Sequence, residues 1–558
     1  MKPSQRLFGF GIVLTFAFVL FLYIFGASTL NPHHTNWLIE GDSEVFYYGF
    51  NFFNHEAWTH PLGKIISYSF PESSSIVYTD SIPWLALLGK IFGQGSIFQY
   101  FGIWVALCFL LQGGFAFLLL AETGIPFLTS ILGSFFFLFL PTFLNRTYQD
   151  TKHYTLVGQF FVLIGIFLFT GEKRRKNLKF WLIAFGASLG VHLYLTFILG
   201  FFFLISFSIE ELKTLFRKKG FYFSIAGLGF LAYELGYFAI PVQNSTAGGF
   251  GFYAMNLAGP FDSYNRSLVL PALPHVVNYH EGYQYLGLGF IALLGTTLFS
   301  SEKRKALGSS LKTTFQSHWE AWFGLIILCT SFQIMFLDFK FMEWATFPVL
   351  TAIYFYFRRK DGIHPVRIFG EAALLFLVIF ACGRIFRATG RFFWIPEYLL
   401  LYLLLRLKPH PALLAFLFGL QIADLSPLLN GIKSQQNFMA GQNIPASPDF
   451  GKDVDSFDHI SIIGGYMITP ASWMNFALEH GKTIGPLAAA RGSSGFRKKE
   501  KEKIENDLMS LKLDNRTLYM IGNPAFWEKF ENQCRSNPDK CAHLKAGFYD
   551  TYHYVYQP

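Results

Sequence analysis

Charge is scarce in this chain: Asp, Glu, Lys and Arg together make 15% of 558 residues, against 52% hydrophobic and 69 Phe. That balance excludes an ordinary soluble protein of this length and any disordered one. Also missing are a Walker or dinucleotide Gly-rich phosphate loop and an HExxH helix. Nucleotide cradling and zincin chemistry therefore have no anchor in the sequence. No internal repeat is visible, which removes solenoids and weakens any transporter built from two related halves. Cysteine is limited to 5 residues. Cys108, Cys329 and Cys382 lie in apolar runs and read as packing residues. Cys534 and Cys541 are spaced for a local disulfide in an oxidising compartment, and a zinc site lacks a second Cys pair.

What is present is long apolar sequence, with a mean hydropathy of +0.35. Crossing a bilayer takes about 20 apolar residues in a helix, and lipid forces the backbone to satisfy its own hydrogen bonds. Apolar runs at 7–29, 97–120, 124–143, 155–170, 179–191, 193–209, 221–241, 285–300, 319–337, 343–357, 367–383, 393–406 and 411–426 predict an all-α polytopic membrane protein. The count is about thirteen transmembrane helices by hydropathy. The first run follows Lys2 and Arg6 but is too long for a secretory signal and lacks a small-residue cleavage site, so it reads as a retained helix.

Basic clusters at 172–176, 213–219, 303–305, 358–360 and 406–408 fall on one side if the spans alternate. The positive-inside rule makes that side the cytoplasm. The N-terminus is then cytoplasmic, and residues 30–95, 144–154, 242–284, 384–392 and everything beyond about 427 lie outside. The net charge of +9 belongs mostly to those loops and gives no nucleic-acid signal. Residues 180–209 must enter and return between two basic clusters, which predicts a broken helix at Gly190-Val191-His192 and places His192 towards a cavity. Two domains follow: 1–430 in the membrane with the long first loop 30–95, and a C-terminal α/β extracytoplasmic domain at 431–558. In the latter, SFDHISIIGG and NRTLYMIG read as strands, and PASWMNFALEH, RKKEKEKIENDLMSLKL and NPAFWEKFENQC as helices.

Ionisable residues recur at the outward turns, where burying charge near a membrane is costly. Glu40, Asp42 and Glu44 stand in the first loop; Asp42 follows Gly41 at a helix start, where an acid can act as base or simply cap the helix. Glu44 reads as a substrate ligand or as a first-turn charge favoured by the helix dipole. The turn NRTYQDTKHYTLVGQ carries Arg146, Asp150, Lys152 and His153, with Asp150 and His153 at i, i+3. Glu281 lies between Tyr279 and Tyr283 at the outer end of a span. Arg384, Arg387 and Arg391 oppose the positive-inside bias and suit an anionic phosphate, although arginines also snorkel to bulk lipid. The candidates are thus Asp42, Asp150 and Glu281 for catalysis, and Glu44, Lys152, His153, His192, Arg387 and Arg391 for substrate. The same three acids are compatible with a Mg or Mn ion.

The motifs GDSEVFYYGFNFF, SSSIVYTDSIPWLALL, HLYL, EGYQYLGLG and GRFFWIPEYLLLYLL, an acid in the loop after the first helix, and an outer C-terminal domain resemble the GT-C superfamily of glycosyltransferases, in particular a bacterial GT-C-like membrane family of unknown function. The resemblance covers about residues 7–430 and implies a bacterial inner-membrane enzyme. Such an enzyme transfers sugar from a polyprenyl-phosphate donor to an extracytoplasmic glycan, lipid or protein, with Asp42 as base. Many GT-C relatives carry two adjacent acids there, whereas here Asp42 and Glu44 are separated, and a WWD motif is absent, which argues against sequon glycosylation. The rival expectation is a transporter or flippase of a lipid-linked or anionic substrate.

Overall fold

A computed structural model describes residues 1–148, 152–240, 253–274, 279–311, 335–336, 339–340, 366, 386, 388–444, 446–463, 470–487 and 494–558. The described chain is mostly helical, with one five-stranded sheet near its C-terminal end. Among the described residues two helices are long and apolar enough to cross a membrane, Pro3–Phe25 and Phe101–Glu122; counting three bent helix pairs as single spans raises the total to 5. The expected spans at 319–337, 343–357 and 367–383 lie outside the described residues. Several of the others are shorter than hydropathy implied. The run 124–143 is helix only over Phe127–Leu138 and resumes, bent by 41°, from Pro141, because proline brings no N–H for the helical ladder. Likewise Pro411–Asp424 bends by 48° into Ser426–Ala440, where Pro427 sits at the start of the second piece.

On the first helix Leu7, Phe8, Val19 and Tyr23 are exposed, while Val13, Ala17 and Phe21 face the protein. An apolar outer surface on an apolar helix suits contact with lipid rather than water. The expected break at Gly190 is present: Leu178–Leu189 ends, and Leu193–Ile205 begins with His192 as its N-cap.

The first loop folds into the Asp42–His55 and Pro83–Gly93 helices, joined by a two-residue ladder between Lys64–Ile65 and Ser74–Ser75. Two close approaches fix how this loop sits on the helices. Gly49, in the middle of the Asp42–His55 helix, lies where an added Cβ would come within 2.3 Å of the Thr79 side chain. Trp84 donates from its backbone N–H to the Gly190 carbonyl (2.9 Å) and from Nε1 to the Gly186 carbonyl (3.0 Å). The turn between Thr79 and Trp84 is therefore pinned against the Asp42 helix on one side and the broken helix on the other.

The sheet runs in the order Thr483–Gly485, His459–Ile463, Thr517–Ile521, Tyr552–Tyr556, Lys545–Tyr549. The first three strands are parallel and the last two form an antiparallel hairpin. Both strands and all three helices expected from sequence occur in this region, while the Thr483–Gly485 strand and the final hairpin escaped the reading. The expected boundary at 430/431 falls inside the Ser426–Ala440 helix. The sheet also continues into the first loop: the Ile484 N–H donates to Ser67, the Phe70 N–H donates to Ile484, and Tyr48 donates its hydroxyl to the Ala471 carbonyl (3.2 Å). Phe52, Tyr68, Ile460 and Trp473 accordingly belong to one apolar core. Cys534 and Cys541 are joined as a disulfide, with Cα atoms 5.6 Å apart.

Alanine normally stabilises a helix interior over glycine by about 1 kcal/mol. At Gly49 the contact with Thr79 reverses that preference, so Gly49→Ala lowers the thermal midpoint of the purified protein through overpacking worth about 1–3 kcal/mol. A raised midpoint would show that the Thr79 turn does not rest on this helix.

Candidate functional site

Asp42 is the first helical residue of Asp42–His55; Gly41 is the cap, at φ +57°, and no side chain caps this helix. The simple capping role open to Asp42 from sequence is thus filled by a glycine, while Ser43 donates its hydroxyl to the Glu40 carbonyl (2.7 Å). Asp42 is exposed and makes no hydrogen bond among the described residues. Even so, desolvation by surrounding protein raises the proton affinity of its carboxyl; Asp80 and Glu281 add to the rise, and His153 and Arg391 oppose it. Asp42 is thus open to solvent yet close enough to surrounding protein and to other ionisable groups for its proton affinity to shift.

Beside it stands a residue that sequence reading missed. Asp80 sits in the clamped turn with φ +50°, next but one to Ile82 at φ +52°. Left-handed backbone is tolerated by Asp but costly for a β-branched residue. The turn is held there by a Ser81 hydroxyl that donates to the Phe46 carbonyl (3.0 Å) and by the Tyr100 hydroxyl, which donates to the Ser81 carbonyl. This places Asp80 Oδ2 3.5 Å from His153 Nε2 and Oδ1 3.4 Å from His192 Nε2. Burial alone would raise the Asp80 carboxyl, but His153, His192 and Arg391 outweigh it and hold it below the ordinary carboxylate range. The two imidazoles meet edge to face, with ring centroids 5.4 Å apart. His153 Nδ1 lies 2.7 Å from the Thr155 hydroxyl, and His192 Nδ1 accepts the Tyr194 N–H (3.1 Å). The signal for Asp80 was an Asp in the quoted motif SSSIVYTDSIPWLALL, three residues before the start of a proline-led helix. Nothing in local periodicity marks it.

Glu281, expected as a catalytic or metal-binding acid, is engaged otherwise. Arg391 grips it in a two-pronged pair (2.7 and 3.1 Å), and Arg146 adds a third contact at 2.8 Å. Burial would raise this carboxyl, yet the Arg391 and Arg146 guanidiniums keep it well below the usual range. A carboxylate so held neither accepts a proton near neutral pH nor offers free oxygens to a metal. The fork of Arg391 is correspondingly spent on Glu281 rather than open to a phosphate, and its guanidinium also lies 4.8 Å over the Tyr194 ring. The Gln284 amide, donating to the Gly390 carbonyl (2.7 Å), ties the two segments together.

Lys152 is buried and pairs with Glu40 at 3.0 Å, which Gln435 also contacts. Burial lowers its ammonium, Glu40 opposes that, and the charge of Asp42 is felt there too. Glu44 is placed elsewhere. Two residues along a helix turn a side chain by about 200°, and Glu44 is buried on the other face, among rings that include Tyr48 and Tyr68, where desolvation pushes its carboxyl up to about 8. The structure therefore brings together Asp42, Lys152, His153, His192, Glu281 and Arg391, and leaves Glu44 apart. Asp150, Arg384 and Arg387 lie outside the described residues.

Residues 14–360, more than half of the sequence, match the model of a family described as a domain of unknown function (DUF6311). The chain belongs to that family. The match includes Asp42, Asp80, Lys152, His153, His192 and Glu281, and ends before Arg391. No curated protein matches the chain.

Removing one partner of a buried ion pair leaves uncompensated charge and costs about 3–5 kcal/mol. Glu281→Gln leaves Arg146 and Arg391 facing one another, so it should lower the denaturation midpoint of the purified protein strongly. A surface-like effect of under about 1 kcal/mol would mean that the triad is open to water and not a structural support.

Proposed function

We propose that the chain is a membrane glycosyltransferase, which moves a sugar from a polyprenyl-phosphate carrier to an acceptor outside the cytoplasm. The observation that supports this reading above others is Asp42, an exposed acid whose side chain has no hydrogen bond among the described residues and which feels imidazole, ammonium and guanidinium groups nearby. It stands in the loop after the first apolar helix, where the GT-C resemblance implies the base. In this reading the chain spans the inner membrane of a bacterium about thirteen times, with the first loop and C-terminal sheet outside.

The reaction is a single displacement at the anomeric carbon. An acceptor hydroxyl oxygen forms the new bond, its proton passes to Asp42, and the bond from the anomeric carbon to the carrier phosphate breaks. The electron pair leaves with the phosphate. A carboxyl with raised proton affinity is better matched to that proton than a free surface acid. Lys152 and the net positive Arg146–Glu281–Arg391 group supply the field that stabilises the departing phosphate, and Glu281 positions Arg391. The configuration at the anomeric centre inverts.

General-base catalysis contributes about 10²–10⁴-fold. Asp42→Asn should therefore cut transfer of labelled sugar from polyprenyl-phosphate donors at least about a hundredfold. Its thermal midpoint should stay close to that of the wild type, because among the described residues the Asp42 side chain caps no helix and has no ion-pair partner. Wild-type turnover by this variant would reject Asp42 as the base.

A further inference from the structure

We propose that Asp80, His153 and His192 form a binding site for one nitrogen-accepting divalent metal ion, of the Zn(II) or Fe(II) class and not Mg(II). One ligand atom from each residue lies within 4.8 Å of the others. The two Asp80–imidazole separations, 3.4 and 3.5 Å, exceed the roughly 2.7–2.9 Å of a charge-assisted hydrogen bond. Each is close to the edge of about 3.4 Å expected between two ligands that bind an ion at about 2.1 Å, with Oδ1 turned to His192 and Oδ2 to His153. The carboxylate thus stands between the two imidazoles, all three within reach of one ion.

The ligand chemistry selects the ion. Two imidazoles and one carboxylate suit Zn(II) or Fe(II) and leave positions open for substrate or water, whereas Mg(II) prefers an all-oxygen octahedron. The surroundings fit as well. A ligating histidine needs a partner for its other ring nitrogen, and Thr155 provides one for His153 at 2.7 Å. The Ser81 and Tyr100 hydrogen bonds hold the Asp80 turn in place. Among the described residues neither Asp42 nor Asp80 has an ammonium or guanidinium at ion-pair distance. Binding through His192 Nε2 moves the ring proton to Nδ1 and gives up the cap on Tyr194. The site replaces the expected metal ligands Asp42, Asp150 and Glu281, the last of which is held by two arginines.

Metal binding stands by itself; the clause that the ion's open positions receive an oxygen of the sugar phosphate rests on the glycosyl-transfer reading. The test uses the full chain, purified without a histidine tag and stripped with chelator. Titration with Co(II) should produce a visible d–d band that saturates at about one equivalent, displaced by Zn(II), with Zn(II) and not Mg(II) raising the thermal midpoint. Asp80→Asn, His153→Gln and His192→Asn should lose the band; the last keeps a capping acceptor for the following helix. His33→Asn with His34→Asn should retain it. No saturable band in the wild type, or full stoichiometry in the three variants, overturns the site. If a variant does not fold, peptide mapping of diethylpyrocarbonate modification on the wild type decides: Zn(II) should shield His153 and His192, and equal labelling with and without the ion overturns the proposal. Metal bound without sugar transfer leaves this site standing and removes the transfer reading; transfer by a protein that binds no ion does the reverse.

Discussion

The turn from Thr79 to Ile82 holds the arrangement together. It is wedged against a helix that has no Cβ at Gly49, tied by Ser81 to the Phe46 carbonyl, and joined through Trp84 to the end of the broken helix. Three segments far apart in sequence, 42–55, 152–157 and 178–205, meet because this one turn contacts or faces all of them. Its two left-handed residues, Asp80 and Ile82, are the kind of local strain that a fold retains where surrounding contacts over-determine the backbone. Without the turn, Asp42 would face open loop and the two histidines would have no carboxylate between them.

Electrostatics then sorts the buried charges into two kinds. Glu281, Arg146 and Arg391 are paired with one another, as are Lys152 and Glu40. Those groups cross-link the outer ends of helices and set a background field. Asp42 is unlike them: it is exposed, its side chain has no hydrogen bond among the described residues, and it is shifted towards holding a proton. Shifted titration beside other ionisable groups is a common property of groups that do chemistry, whereas buried ion pairs are more often supports.

Much of this was legible in the sequence. Composition gave a largely helical, apolar chain, and the two basic clusters flanking 180–209 required a break at Gly190-Val191-His192, where the helix does break. His153 and His192 were singled out from their places at turns. Three things were not legible. Helix lengths were overestimated because hydropathy does not register the bends at Pro141 and Pro427. Asp80 was passed over because it lies in irregular backbone, where no period of 2 or 3.6 applies. The engagement of Glu281 and Arg391 was invisible because they are 110 residues apart, and two opposite charges read separately each look available. The contact between the first loop and the C-terminal sheet is of the same kind: Tyr68 and Ile484 form a bridge that no local pattern announces.

A density map of the full chain in lipid nanodiscs with a polyprenyl-phosphate sugar tests the central claim most directly. The account predicts the carrier phosphate beside Lys152 and the Arg391–Glu281 pair, with the sugar turned towards Asp42 and its lipid tail running along the apolar helices. A carrier bound elsewhere, with Asp42 out of reach of the sugar, would contradict it.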